Sequence, residues 1–238
     1  MNEEMLKFAD YIDELAETNP DYGLDCFFKL KDTLKDECKE IIRRSKEIDE
    51  IIPKVDRKEK GKLSFEKGIL LEKLAEKIFT VRNIFKEAER VECKSNEIDI
   101  LLQSSTNNAL YSRLLPDYFK KDILIECKNH KKPVDVTLVG KFYSLMRYKK
   151  GSFGIMVSNL PFTGQDEWDA SIGLTKKLFL LDNSLILNIT INDIEELLIN
   201  NMNIVSFIER KVNHIKYHTE VIHSISEHPA EKIMTKPN

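Results

Sequence analysis

Apolar positions recur at spacings of three and four through the first eighty residues, and short apolar runs take over after that. Residues 3 to 18 read as a short helix that Asn19-Pro20-Asp21 breaks. From Tyr22 to about Ile52 a longer helical pattern places Phe27, Leu30, Leu34, Cys38, Ile41, Ile48 and Ile52 on one seam, with Ser45 as its polar gap. This heptad-like seam suits an intermolecular coiled coil or a hairpin with the first helix. Pro53 is expected to end or kink it. Val55 to Lys62 is a charge run containing Gly61; a domain boundary is expected there, against the alternative of one continuous helical arm. Ser64 to Thr80 is the next helix, with Leu71, Leu74, Ala75, Ile78 and Phe79 as its apolar stripe. Glu72 borders that stripe on the row Gly68, Glu72, Ala75, Phe79, whereas Glu76 lies farther round toward Lys73 and Lys77.

The period then shortens. Ile84 to Cys93 is a weak strand candidate and Glu97 to Gln103 (EIDILLQ) a strong one. In the second, Ile98, Ile100 and Leu102 share one face, and Asp99 shares the other with Leu101. Both faces are apolar, as in a strand covered on both sides. Residues 104 to 120 are polar and read as a long connection. Ile123 to Asn129 (ILIECKN) is again apolar on both faces, with Glu126 and Lys128 pointing the same way and Cys127 opposed. Val134 to Tyr148 reads as a helix, Phe153 to Ser158 as a strand, Gln165 to Lys177 as a helix carrying Trp168, and Leu178 to Thr190 as one or two strands around Asp182-Asn183. Asp193 to Asn200 and Ile204 to about Tyr217 are helical, and the tail from Ser226 is expected to be disordered. This order is that of an α/β protein, a central mixed sheet flanked by helices, with an N-terminal helical extension. Three segments are expected: helices over 1–60, the α/β domain over 61–190, and C-terminal helices and tail over 191–238.

Composition changes this picture little. The 238 residues are 42% hydrophobic and 32% charged, as in an ordinary globular chain. No apolar run is long enough to span a bilayer, and the acidic start Met1-Asn2-Glu3-Glu4 lacks the layout of a signal peptide. Cys26, Cys38, Cys93 and Cys127 have no CxxC spacing and are read as reduced thiols of a cytoplasmic protein. A net charge of −3 does not announce a nucleic-acid binder, so any such contact must come from local patches: Lys54 to Lys62, Lys128 to Lys132, or Arg147 to Lys150.

The chemistry concentrates in Glu72, Asp99, Glu126 and Lys128. A carboxylate and an ammonium at the end of an apolar strand are costly to bury unless they are paired or hydrated. Carboxylates on adjacent strands can share a hard divalent cation such as Mg²⁺, with the Cys127 backbone carbonyl as another oxygen. Such a cation lowers the pKa of a bound water, and Lys128 can orient that water or hold a phosphate by charge. These are the requirements for hydrolysing a phosphodiester.

The set resembles the PD-(D/E)xK nucleases, and within them the restriction endonucleases of the Mrr type. Asp99 in EIDILL matches the first-motif acid, Glu126-Cys127-Lys128 matches ExK, and Gly68 with Glu72 in GILLEKLAEKIF resembles the G-x-x-x-E of the preceding helix. Phe153 to Thr163 resembles the strand and turn that follow. The likeness covers about residues 64 to 180. It departs at Ile98, where the motif has proline. A literal Pro116-Asp117 lies in a polar segment and is read as a decoy. The resemblance implies Mg²⁺-dependent cleavage of DNA, with Mn²⁺ as a substitute, often by a homodimer that cuts both strands. Restriction or anti-phage defence is the expected setting. A catalytically silent nucleic-acid or protein binding module, or a repair or RNA-directed nuclease, is the alternative. The N-terminal helices are candidates for dimerisation, recognition or docking of a protein partner.

Other features carry less. His214 and His218 are four apart on a helix, with His223 and His228 beyond, a spacing that can hold zinc, but no third ligand stands at a telling distance. Lys141 and Trp168 are read as a solvated lysine and a core side chain.

Overall fold

The structure, a computed structural model, describes residues 3–19, 21–86, 91–93, 96–112, 114–165 and 168–220. In chain order the elements are α1 (Glu3–Thr18), α2 (Tyr22–Phe28), α3 (Asp32–Ile51), α4 (Arg57–Phe79), β1 (Phe85–Lys86), β2 (Val91–Cys93), β3 (Asn96–Ile98), β4 (Ile100–Ser104), α5 (Thr106–Tyr111), β5 (Ile123–Lys128), α6 (Val136–Tyr148), β6 (Phe153–Ser158), α7 (Ala170–Asp182), β7 (Leu185–Thr190), α8 (Ile191–Ile199) and α9 (Ile204–Glu220). A five-stranded mixed sheet has the order β1-β4-β5-β6-β7. The β1–β4 and β4–β5 pairs are antiparallel, and β5–β6–β7 are parallel. The short β2–β3 pair stands apart. This is the α/β architecture expected from the alternation of periods.

Side-chain alternation divides the core. Ile123 and Ile125 of β5, Phe153, Ile155 and Val157 of β6, and Leu185, Leu187 and Ile189 of β7 face a large cluster with α4, α8 and α9. Leu124, Met156 and Ile186 face the other side, against Val139, Phe142 and Met146 of α6 and Leu178 of α7. The approach of α6 is close. A Cβ at Gly154 on β6 would stand 2.6 Å from Met146 Sδ and 2.7 Å from Phe142 Cε1, so a larger residue there would push those side chains aside.

Several elements differ from expectation. The helical pattern over Tyr22–Ile52 is interrupted: α2 stops at Phe28, and Lys29 is extended and bridges to Asn203. The interruption drives Phe28 and Leu30 into the large cluster beside Cys38 and Ile42 of α3. Farther along, Ile48 and Ile52 close on Leu63 of α4. The heptad-like seam is therefore consumed inside the chain, with α4 rather than α1 as the partner of α3.

The charge run of Val55–Lys62 holds the start of α4, two turns before Ser64. Asp56 caps it, its carboxylate accepting from Lys58 N–H (2.8 Å) and Glu59 N–H (2.9 Å). The expected strand over Glu97–Gln103 is split at Asp99, with β3 pairing to β2 and β4 to β5. The expected connection over 104–120 folds partly into α5, capped by Ser105, and a 3₁₀ turn over Asp117–Lys120. Of the weak strand over Ile84–Cys93, the ends form β1 and β2, and 87–90 lie outside the described residues.

Trp168 precedes α7, and Leu178–Asp182 continue that helix instead of forming a strand. Asn183 ends α7 in the left-handed conformation, φ 58° and ψ 26°, where asparagine is tolerated. The tail from Ser226 lies outside the described residues.

Candidate active site

The carboxyl ends of parallel strands are where open α/β sheets place their ligands. Here β5 and β6 run side by side to such an end, with Glu126 opposite Met156 and Lys128 opposite Ser158. On the other flank, β4 reaches the same end from the opposite direction. Its register with β5, Ile100 opposite Ile125, runs on to set Asp99 opposite Glu126. The chain bends at Asp99, and its Oδ2 accepts the Cys127 backbone N–H at 2.7 Å. The break in the strand and the placement of the acid are thus one feature: the side chain replaces a ladder bond and ties its carboxylate to the centre of Glu126-Cys127-Lys128.

Glu126 is only 9% exposed. Lys128 Nζ donates to its Oε1. Its other oxygen, Oε2, is buried and meets no hydrogen-bond partner among the described residues. Burial raises the Glu126 pKa above the ordinary carboxylate range; the Asp99 charge adds to this, the Lys128 contact opposes it, and Glu72 contributes a smaller push upward. A buried carboxylate oxygen without a donor, pressed by a second carboxylate, suits a hard cation, and the oxygen donors of Asp99 and Glu126 match Mg²⁺ chemistry. Among the described residues no group of three or more His, Cys, Asp or Glu is arranged around a metal position. Two carboxylates remain compatible with a cation that keeps several waters.

Glu72 approaches from the other face. The alternation of β5 sets Cys127 on the side of the large cluster, against which it packs, and α4 covers that side. Burial first, then Asp99, Glu72 and Glu126, push the Cys127 thiol well above its ordinary pKa. A thiol held protonated in that way is a packing group and a poor nucleophile. The charges of Asp99 and Glu72 thus both reach Glu126 and Cys127.

An amide network, not foreseen from the sequence, braces this end. Asn129 Nδ2 donates to the Ser64 carbonyl of α4 at 3.0 Å, and Asn129 Oδ1 accepts from Asn159 Nδ2 at 2.8 Å. One carboxamide thereby ties the helix of Glu72, the strand of Glu126 and Lys128, and the exit of β6. Asn188 of β7 donates to the Met156 carbonyl (3.0 Å) and Ser158 Oγ (2.7 Å) and accepts from Phe162 N–H (3.0 Å). The only sequence signal for the first of these was an asparagine directly after ExK.

The remaining candidates stay outside this cluster. Asp117 is exposed and bound to Lys120 at 2.8 Å, as suits a decoy. Lys141 and His214 are exposed, the His218 side chain is not among those described, and His223 and His228 lie outside the described residues. A cavity of about 450 Å³ between α7, β7, α8 and α9 contains none of the four candidate residues.

The family model of the Mrr catalytic domain, described as a restriction endonuclease, matches residues 67–186. That is half of the chain, and it spans Glu72, Asp99, Glu126 and Lys128. No curated protein and no solved structure matches.

Proposed function

The chain belongs to the Mrr-type restriction endonuclease family and carries a nuclease domain of that family, and from this premise we propose that it is a metal-dependent endonuclease that hydrolyses the phosphodiester bonds of DNA. The observation that carries the metal dependence is Glu126 Oε2, a buried acceptor left without a donor beside a second carboxylate. Asp99, Glu126 and the Cys127 backbone carbonyl are the groups that would hold Mg²⁺, or Mn²⁺ in its place. When bound, the ion supplies a water of lowered pKa and neutralises charge on a phosphate oxygen.

The rest of the chemistry belongs to the chain. Asp99 is aimed by its bond to Cys127 N–H, so its position is fixed before any substrate arrives. Lys128 pairs with Glu126 in the free protein. Its ammonium is the cation of this set that would meet the scissile phosphate or the attacking water. Glu72 adds negative charge from the α4 side. Asn129 holds the strand and helix of these groups in register.

Cytoplasmic restriction or anti-phage defence is the setting we propose. No helix among the described residues is long and apolar enough to cross a membrane. A homodimer that cuts both strands fits the family, and its surface must be sought away from the seam that α3 spends on the core. The test is conversion of supercoiled plasmid to nicked and linear forms. Cutting with Mg²⁺ or Mn²⁺ that EDTA abolishes supports the reading; a folded chain that cuts neither unmodified nor modified DNA contradicts it.

A further inference from the structure

We infer that Phe65 on α4 is a substrate-positioning residue, whose exposed ring wedges against a base step of the DNA lying across the active site. The inference rests on the reading of the chain as a DNA nuclease and adds a contact to it.

Phe65 is 68% exposed and belongs to none of the apolar clusters formed by the described residues. An exposed phenylalanine costs helix propensity relative to alanine and buries little in return. Its surroundings point to a ligand. On a helix surface the neighbours of a residue are those three, four and seven positions away. For Phe65 these are Gly61 and Lys62 on one side, Gly68 and Ile69 on the other, with Lys58 and Glu72 a turn beyond. A side chain at Gly61 or Gly68 would meet nothing within 4 Å, so the helix surface on both sides of the ring is open.

The track ends at the proposed active site. Glu72 is seven residues from Phe65, about 10 Å along the axis at about 1.5 Å per residue. That length corresponds to about three base steps of duplex at about 3.4 Å each. The Asn129 bond to the Ser64 carbonyl brings the start of the Lys128-Asn129-His130-Lys131-Lys132 stretch against the turn that carries Phe65. His130, Lys131 and Lys132 are exposed, as are Arg57, Lys58 and Lys60 at the start of α4. The nearby acids are engaged: Glu59 with Lys62 at 3.3 Å and Glu66 with Arg44 at 2.8 Å. Exposed cations on the helix of a bare aromatic ring and on the strand end tied to that helix, beside a carboxylate cluster, match a polyanion that offers apolar base faces. Apolar side chains that enter base steps from the groove partly unstack them.

The test uses the full chain with Lys128→Ala, which removes cutting, and a short DNA duplex containing 2-aminopurine, whose fluorescence rises when a base unstacks. Phe65→Ala in that background is expected to weaken binding about tenfold and to abolish the fluorescence rise, whereas Phe65→Trp retains both. Thermal unfolding of Phe65→Ala should match its parent, since the ring is exposed. Unchanged affinity and fluorescence in Phe65→Ala would overturn the inference. So would loss of a dimer on sedimentation with DNA binding intact, which would assign the ring to a second copy of the chain. Failure of the Lys128→Ala parent to bind DNA at all would instead remove the nuclease reading on which the inference stands.

Discussion

Glu126 sits under opposed demands. Its burial and the Asp99 charge hold its pKa high, and Lys128 only partly offsets them. A carboxyl whose folded-state pKa lies above its unfolded value binds its proton more tightly in the folded chain. Its contribution to stability is complete below the unfolded pKa and is lost as pH rises through the folded one. Near neutral pH and without metal, ionised Glu126 therefore destabilises the fold. Glu126→Gln is expected to melt at a higher temperature than wild type at pH 8 in EDTA, with the difference shrinking toward acid pH. Divalent metal should reverse the ranking, because a ligand that binds only the folded state adds about 2.7 kcal/mol at 100 times its Kd. Calorimetry of both proteins across pH, with and without Mg²⁺, checks this. Equal melting temperatures at every pH, with and without Mg²⁺, would mean that Glu126 neither pays the burial penalty nor holds the ion.

At the scale of elements, α4 links the site to the N-terminal half. It carries Glu72, accepts the Asn129 amide through Ser64, and packs against α3. Its first turn depends on Asp56, which takes two backbone N–H groups that would otherwise lack partners. Asp56→Ala should cost about 1 kcal/mol, read as a lower urea midpoint with an unchanged slope.

The same elements show what the sequence made legible. The row that sets Glu72 at the border of an apolar stripe, and the alternation that puts Glu126 and Lys128 together, follow from helical and strand periods alone, and both stand in the structure. The start of α4 was hidden because charged residues with high helix propensity look the same in a linker and on an exposed helix. The break at Asp99 was hidden because it depends on a bond to Cys127 N–H, 28 positions away. The continuation of α7 to Asp182 was missed because a short apolar run has no period to separate helix from strand. The stop at Phe28 was missed because the demand for Leu30 comes from the tertiary core.

For the whole molecule, the N-terminal helices share the core of the sheet. Phe28, Leu30 and Ile42 lie in the large cluster, and Ile48 and Ile52 cover Leu63. At about 1.5–3 kcal/mol per fully buried large apolar side chain, these five together rival the whole net stability of a typical domain, about 5–15 kcal/mol. Removal of residues 1–55 is therefore expected to leave a chain that aggregates or lacks a cooperative transition. A soluble truncated protein with a sharp melt would show instead that α4 and the sheet form a core of their own.

We propose that Asp99, Glu126 and Lys128 form one metal-dependent hydrolytic site at the end of β5. The most direct measurement is cleavage of supercoiled plasmid in Mg²⁺ or Mn²⁺ by wild type, Asp99→Ala and Lys128→Ala, each confirmed as folded by its melting curve. Wild type is expected to cut and each variant to lose at least about 100-fold, the scale expected when a group that stabilises developing charge is removed. Cutting that survives both substitutions would place the hydrolytic site elsewhere.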